Sequence, residues 1–394
     1  MIEINGKYTN AVIYSDLVED GAIAQITNLC NNEAACESNI KVMPDCHEGN
    51  GCTIGTTMTI HDRITPNLVG VDVSCGVICA KLNIEKPIDF AEFDHQVRRS
   101  VPSGFNSRKT IHPIANGINL SDLKCANNLK RLESAYYQIG TLGGGNHMIE
   151  LDSDKNGDVY LIIHSGSRNI GKQVAEYYQK LAIKECRETK STIRTEIINN
   201  TIDKSFIGEK LSTIDPLVDD LAFLDGVSFD DYIHDMKVLQ IYAHLNRESM
   251  LQEIIRNVPG ISVDSQFETV HNYIDTEHMI LRKGAISAQN GEKVIIPMNM
   301  RDGAIIAVGK GNPDWNYSAP HGAGRVMGRK EAKRTFKLDD FKKSMEGIFT
   351  TSVNQNTIDE SPFVYKPMEE ITKYIGDTVD IIDIIKPIYN FKSS

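Results

Sequence analysis

The stretch VYLIIHSGSRNIGKQ, Val159–Gln173, constrains the fold more than any other: an apolar run ends at a histidine, and a Gly-Ser loop then opens a helix. An apolar run this short, stopped by turn residues, reads as a buried strand. The same pattern recurs in VMPDCHEGNGCTIG (Val42–Gly55), LVGVDVSCGVICAKL (Leu68–Leu82), GTLGGGNHMIEL (Gly140–Leu151) and ETVHNYIDTEH (Glu268–His278). Strand-rich segments are therefore expected at roughly 40–85, 140–170 and 284–325, with helices between them. AEYYQKLAIKECRE places Tyr178, Leu181, Ala182 and Cys186 near one helical face. FDDYIHDMKVLQIYAHLNRESMLQEIIRNVPG is the longest helix candidate, with Asp230 and Asp231 in its first turn and Pro259-Gly260 as its stop. Its His234 and His244 read as ordinary histidines. The expectation is an α+β fold, one domain over 1–394, with a helical insertion at about 172–257. No repeat, low-complexity block or Pro/Gly/Ser linker divides the chain.

Composition narrows the function. The chain has 394 residues, 41% hydrophobic and 24% charged, enough for a large core. A net charge of −11 argues against nonspecific nucleic-acid binding by the whole surface. One segment runs the other way: His321–Lys337 holds six Lys or Arg (Arg325, Arg329, Lys330, Lys333, Arg334, Lys337) against the single acid Glu331, a local site for a polyanion. The eight cysteines form neither a disulfide scaffold nor a CxxC…CxxC zinc pattern. The N-terminus lacks the basic and apolar regions of a signal peptide, and no apolar run is long enough to span a bilayer. A cytoplasmic protein is expected, and at this size a monomer.

Several side chains stand at the ends of strand-like runs. Asp45 and His47 alternate, so they share a face and Cys46 points away. Asp72 and Cys75 end a Val-rich run, an awkward pair for a core and a natural one for a metal. A lone cysteine usually acts as a small hydrophobe. The full set Asp72, Cys75, His147, His164 and His271 is a mixed O/S/N donor set of a size that exceeds one tetrahedral ion. Two metal ions with a bridging ligand are the economical reading, suited to orienting phosphates. The SGSR loop, with Ser165, Ser167 and Arg168, offers an oxyanion cradle. His321 stands among Gly322 and Gly324, and a helix from about Arg325 would set Arg325 and Arg329 four residues apart on one face. Lys330 and Lys333 read as a solvated face with Glu331 as partner.

MPDCHEGNGCTIG, GVDVSCGV, LGGGNHMIEL, HSGSRNIG, HNYI, RKGAIS and HGAGRVMGR, in this order, resemble the motifs of the RtcB RNA ligases. The resemblance covers residue 40 to the C-terminus. It implies a single mixed α/β domain around a deep metal-containing cleft. It implies joining of RNA 3′-phosphate or 2′,3′-cyclic phosphate ends to 5′-hydroxyl ends, with GTP and two Mn²⁺ ions. By position, Asp72, Cys75, His147, His164 and His271 match the metal ligands, with Cys75 as the bridge. His321 matches the guanylylated histidine. Asn146, Glu150, Asn272, Gly322, Ala323, Tyr365 and Lys392 match positions around the guanylate, and Arg168, Lys283 and Arg329 resemble phosphate or RNA contacts. IIPMNMRDGAI departs from the family: Met298, Asn299 and Arg301 stand where Gly, Ser and Gly are common beside the nucleotide. Gly328 likewise replaces a common serine.

These residue types suit phosphoryl chemistry, because imidazole is a competent nucleophile near neutral pH. A dinuclear-metal phosphodiesterase or phosphatase would share the cage without a covalent nucleotide. A non-catalytic RNA-end-binding protein would keep the pocket alone. The complete donor set weighs against the second alternative and the full His321 motif against the first. Repair of cut RNA and joining of tRNA halves require the same site.

Overall fold

The computed structural model describes residues 1–393, a mixed α/β architecture built on two main sheets. One sheet has six strands in the order Ile2–Asn5, Asn10–Ile13, Ile40–His47, Ile54–Thr59, Ile280–Lys283, Tyr273–Asp275. The other has eight. Its path is Ile261–Val270, Gly76–Ile84, Val159–Ser165, Met148–Ser153, Val379–Lys392, Gly303–Gly309, Lys293–Asn299, with Phe349–Thr350 beside Val379–Lys392.

Strand parity explains how the large sheet is covered on both faces. Along Val159–Ser165, Leu161 and Ile163 join a cluster with Phe93, Val97, Met250 and Ile254 from two helices, Phe90–Ser100 and Gly226–Asn257. Ile162, one residue out of phase, packs with Val77, Cys79, Ile295, Ile306 and Ile385. A strand buried on both faces must be apolar without alternation, which is the VYLII pattern. The 14-residue strand Val379–Lys392 makes this possible. Its first half pairs with Gly303–Gly309 and its second half with Met148–Ser153, with a register shift between Pro387 and Tyr389. The sheet thereby curls back over its own face.

The helical block between the strands begins at residue 168. Helix Arg168–Asn200 buries Ile170, Val174, Tyr178, Ala182 and Cys186, every fourth residue or nearly so, and buries nothing beyond Cys186. Its last turns project from the body. Gly226–Asn257 starts earlier than Asp230-Asp231 implied, so those acids sit in its second turn rather than its first, and it ends just before Pro259. It is buried nearly all round toward its C-terminal half, including the polar Asn246 and Arg247. Among the described residues no helix is long and apolar enough to cross a membrane.

Candidate active site

Antiparallel pairing gathers the donors. Strands Ile261–Val270, Gly76–Ile84, Val159–Ser165 and Met148–Ser153 are neighbours, so their alternating ends meet at one sheet edge. Val270 pairs with Gly76, Gly76 with Ser165, and Met148 with His164. His271, Cys75, His164 and His147 stand at those ends, and Lys392 reaches the same edge opposite Met148. The other sheet faces them with Asp45 and Lys283. His321 follows the short strand Ser318–Pro320, which pairs with Ala285–Ser287.

The donor atoms crowd together. Cys75 Sγ lies 3.2 Å from His164 Nε2 and 3.4 Å from His147 Nε2. His164 Nε2 and His271 Nε2 are 3.3 Å apart, and His147 Nε2 is 2.8 Å from Asp72 Oδ2. Two triads result, Asp72–Cys75–His147 and Cys75–His164–His271, and they share Cys75. Burial, helped by the neighbouring imidazoles, pushes His164 and His271 well below the ordinary histidine range, so both are neutral with lone pairs to offer. His147 Nδ1 is 2.8 Å from the Leu142 carbonyl, which can only accept; the ring therefore donates there and turns Nε2 into the cluster. Burial works to raise the Asp72 carboxyl, but His147 and Arg168 prevail and hold it down to about 2. Burial and Asp72 keep the Cys75 thiol protonated, so a thiolate forms only where a cation replaces that proton. Facing lone pairs at these distances need either a shared proton or a cation between them. The donor set fits divalent metal.

Strained and braced backbone holds the cluster. Ser74, Arg168 and Asn272, each beside a site residue, adopt left-handed φ of 56°, 58° and 59°. Arg247 Nη1 donates to the carbonyls of Ser74 (2.8 Å) and Ser165 (2.7 Å). Asn246 Oδ1 accepts from the backbone N–H of Gly140 (2.8 Å) and Thr141 (3.0 Å), and its Nδ2 donates to Gly166 O (3.0 Å). One buried helix thus fixes the three segments that carry Cys75, His147 and His164.

His321 sits beside this cluster, its ring centroid 4.8 Å from that of His271. Its Nδ1 is 2.7 Å from Asp45 Oδ2, which also accepts from the His321 backbone N–H at 3.2 Å. Nδ1 is committed to the carboxylate, which leaves Nε2 as the available ring nitrogen. Gly324, at φ 71°, passes so close to strand Ile40–His47 that a Cβ would stand 2.1 Å from Asp45 O. The glycines after His321 therefore let the chain press against its aspartate. The parity of Asp45 and His47 was the one sequence signal for this pair. Both residues face the site, and burial pushes His47 down to about 4.

The cleft, about 350 Å³, is lined by Asp72, Cys75, His164 and His271 together with Asn146, Asn272, Lys283, His321, Gly322, Ala323, Arg329, Tyr365 and Lys392. Met298, Asn299 and Met300 also line it. Asn299 Oδ1 accepts from the N–H of Arg301 and Asp302, so the departing segment forms a tight side-chain-capped turn. Glu150 does not line the cleft: it is buried on its strand, where Asn390 Nδ2 donates to it, and burial pushes its carboxyl up to about 7. Arg168 lies behind the glycine loop, its Nε donating to Thr141 Oγ1 (3.2 Å) and its Nη2 to Gly104 O (3.3 Å). Lys283 Nζ donates to Asn50 O (3.0 Å) and Asn67 O (2.9 Å).

Three sequence expectations fail. Ser165 and Ser167 form no anion cradle, since their buried hydroxyls donate to Leu142 O and Val73 O. No helix starts at Arg325. That residue bridges to Tyr365 as extended chain, and the helix Arg329–Thr335 begins after Gly328, because the glycine-rich approach to Asp45 is not helical. The two arginines still converge, on Glu360. Lys333 turns to Asp359, 3.4 Å away, rather than to Glu331. Sequence reasoning gave no sign of Asp359 and Glu360.

A cleft that sets metal donors and an oriented imidazole against a cationic wall is built for chemistry on anionic substrates, and it marks the protein as an enzyme. The family model for the tRNA-splicing ligase RtcB matches residues 25–124 and 114–393. The RNA-splicing ligase RtcB of Escherichia coli K12 is 29% identical over 385 residues, covering 89% of this chain and 88% of that protein. The tRNA-splicing ligases RtcB of Aeropyrum pernix and Thermococcus kodakarensis are 25% and 23% identical, over 92% and 94% of this chain and 90% of each relative. The chain belongs to the RtcB family of RNA ligases.

Proposed function

We propose that this protein joins RNA 3′-phosphate or 2′,3′-cyclic phosphate ends to 5′-hydroxyl ends, using GTP and two Mn²⁺ ions, through a covalent histidine–GMP intermediate on His321. The observation that carries the reading is the bond between His321 Nδ1 and buried Asp45, beside the donor cluster. It leaves Nε2 as the nucleophile.

Asp72, Cys75 and His147 would hold one ion, and Cys75, His164 and His271 the other. Bound metal would offset charge on the reacting phosphates. In the first step the His321 Nε2 lone pair forms a bond to the α-phosphorus of GTP while the bond to the β-phosphate oxygen breaks, releasing pyrophosphate. The ring becomes cationic, and Asp45, already bonded to Nδ1–H, stabilises it. In the second step an oxygen of the RNA 3′-phosphate attacks that phosphorus, and the N–P bond returns its electron pair to Nε2. In the third the 5′-hydroxyl oxygen attacks the RNA-side phosphorus, GMP leaves, and the hydroxyl proton is lost to solvent. A 2′,3′-cyclic end is first opened by water to the 3′-phosphate. Arg329 and Lys283 would hold RNA phosphates. Asn146, Asn272, Gly322, Ala323, Tyr365 and Lys392 would surround the guanylate, with Glu150 supporting them from below the surface. Arg168 would act at the rim, in exchange for one of its present partners, Thr141 Oγ1 or Gly104 O. The reading also takes residues 1–394 as one catalytic domain, monomeric and cytoplasmic, acting on tRNA halves or cut RNA.

The test incubates the protein with Mn²⁺ and α-labelled GTP. Acid-labile, alkali-stable label on the wild type, absent from His321→Ala, is the expected outcome. No label with any divalent metal overturns the reading. Stronger labelling from ATP would show that the Met298–Arg301 turn has changed the base preference.

A further inference from the structure

Three side chains of the cleft wall, Arg329, Tyr365 and Lys392, meet on one carboxylate that is not itself in the wall, and a fourth, Arg325, lies close to it. Glu360, on the short helical turn Ile358–Glu360, is only 2% exposed. Its Oε2 accepts from the Tyr365 hydroxyl (2.7 Å) and from Lys392 Nζ (2.9 Å). Its Oε1 accepts from Arg329 Nη1 and lies 3.5 Å from Arg325 Nη1. The preceding acid, Asp359, takes Arg329 at 2.9 Å and Lys333 at 3.4 Å on its carboxylate, and its carbonyl accepts from Arg325 Nη2 at 2.7 Å.

We propose that Glu360 is a positioning residue that ties the two substrate subsites together, ordering Lys392 and Tyr365 on the nucleotide side through one oxygen and Arg329 on the phosphate side through the other. The inference rests on the ligase reading above. Physically, a buried carboxylate surrounded by donors fixes each of them at low entropic cost to an incoming ligand. Two cations held that close would otherwise repel and turn outward to solvent. The three cations of the wall, Arg325, Arg329 and Lys392, still exceed the two carboxylates, so the wall stays net positive toward the cleft and suits a phosphate. Arg329 is 44% exposed, so one edge of its guanidinium remains open to a second anion while Glu360 holds the other.

The experiment compares wild type with Glu360→Gln, which keeps size and one acceptor but removes the charge. Guanylylation of His321 is followed at varied GTP, with metal content and thermal midpoint measured in parallel. The expected result is a KM for GTP raised about tenfold, the size of one lost charge-assisted hydrogen bond, with kcat within about twofold and metal content unchanged. An unaltered KM in the folded variant overturns the inference and leaves the ligase reading standing. So does a loss of kcat and bound metal in proportion, which would be structural damage. Absence of label on the wild type overturns the ligase reading and the inference with it. If Glu360→Gln does not fold, Glu360→Asp keeps the charge but withdraws it from its partners; it too must raise the KM for GTP, and an unchanged value overturns the proposal.

Discussion

At the edge of the large sheet, Cys75, His164 and His271 press their donor atoms to within 3.2 and 3.3 Å of one another. On the wall formed by Arg329, Tyr365 and Lys392, every charged or polar tip already rests on a carboxylate oxygen of Glu360. The first region is a set of facing donor atoms that need a proton or a cation between them, and a divalent cation fits the set. The second is already ordered within the protein, with one edge of Arg329 left open to a further anion. The difference teaches where binding energy comes from. On the proposed function, metal affinity at the edge would depend steeply on each shared ligand, whereas phosphate affinity at the wall would come from an already ordered positive surface and depend less on any one cation.

Cys75→Ala attacks the donor region where both triads meet. It should lose bound metal, measured by elemental analysis, and RNA joining should fall by at least about 10³-fold. Normal metal content in that variant would show that the triads do not share an ion-bridging thiolate. Asp45→Asn leaves the donors intact but disturbs the held imidazole. Labelling of His321 should slow by a factor on the order of 10²–10⁴ with metal content unchanged, as when a histidine loses the carboxylate that sets its tautomer. Equal labelling rates would mean that Asp45 merely packs. Arg329→Ala removes one cation from the ordered wall. The RNA KM should rise about tenfold, and more at low salt, while guanylylation changes by less than about twofold. A larger defect in labelling than in joining would place Arg329 on the nucleotide side.

The smallest effect concerns the support of the metal edge. Burial tends to raise the Glu268 carboxyl, but Arg247 and His244 prevail and hold it down to about 2, against an ordinary 4.5. Its folded form therefore binds the proton less readily than its unfolded form. The stabilisation is fully present above about pH 4.5 and is lost as pH falls through about 2. The stability gap between wild type and Glu268→Gln, measured by urea unfolding, should narrow over that window. A gap independent of pH would remove Glu268 from the electrostatic support of Arg247.

The strand VYLII was legible because it lacks helical periodicity and stops at a turn, but the Val-rich run before Cys75 is not a strand: it is a helical turn and a loop, and the strand begins at Gly76. The core stripe of Arg168–Asn200 was legible because Tyr178, Ala182 and Cys186 repeat at helical spacing. The identities of the donors were legible because Cys, His and Asp at strand ends have few other uses in combination. Arg325 was misplaced on a helix because basic residues at i and i+4 score as helical wherever they occur; Gly324, pinned against Asp45, forbids it. Ser165 and Ser167 were misplaced because a loop sequence does not reveal which carbonyls lie behind it. The partnership of Asp45 with His321 spans 276 positions and that of Glu360 with Lys392 joins two loosely patterned segments, so neither leaves a local trace.

The sequence by itself determined which residues could carry chemistry and the periods of the elements that bear them, since both follow from side-chain type and backbone geometry along a short window. Only the tertiary structure decided convergence. Alternating antiparallel pairing brought four strand ends to one edge, Asn246 and Arg247 locked the loops there, and the curl of Val379–Lys392 carried Lys392 across to Glu360. Those outcomes depend on pairings between residues far apart in the chain, and the free energy that selects them is spread over the whole packed interior rather than any single motif.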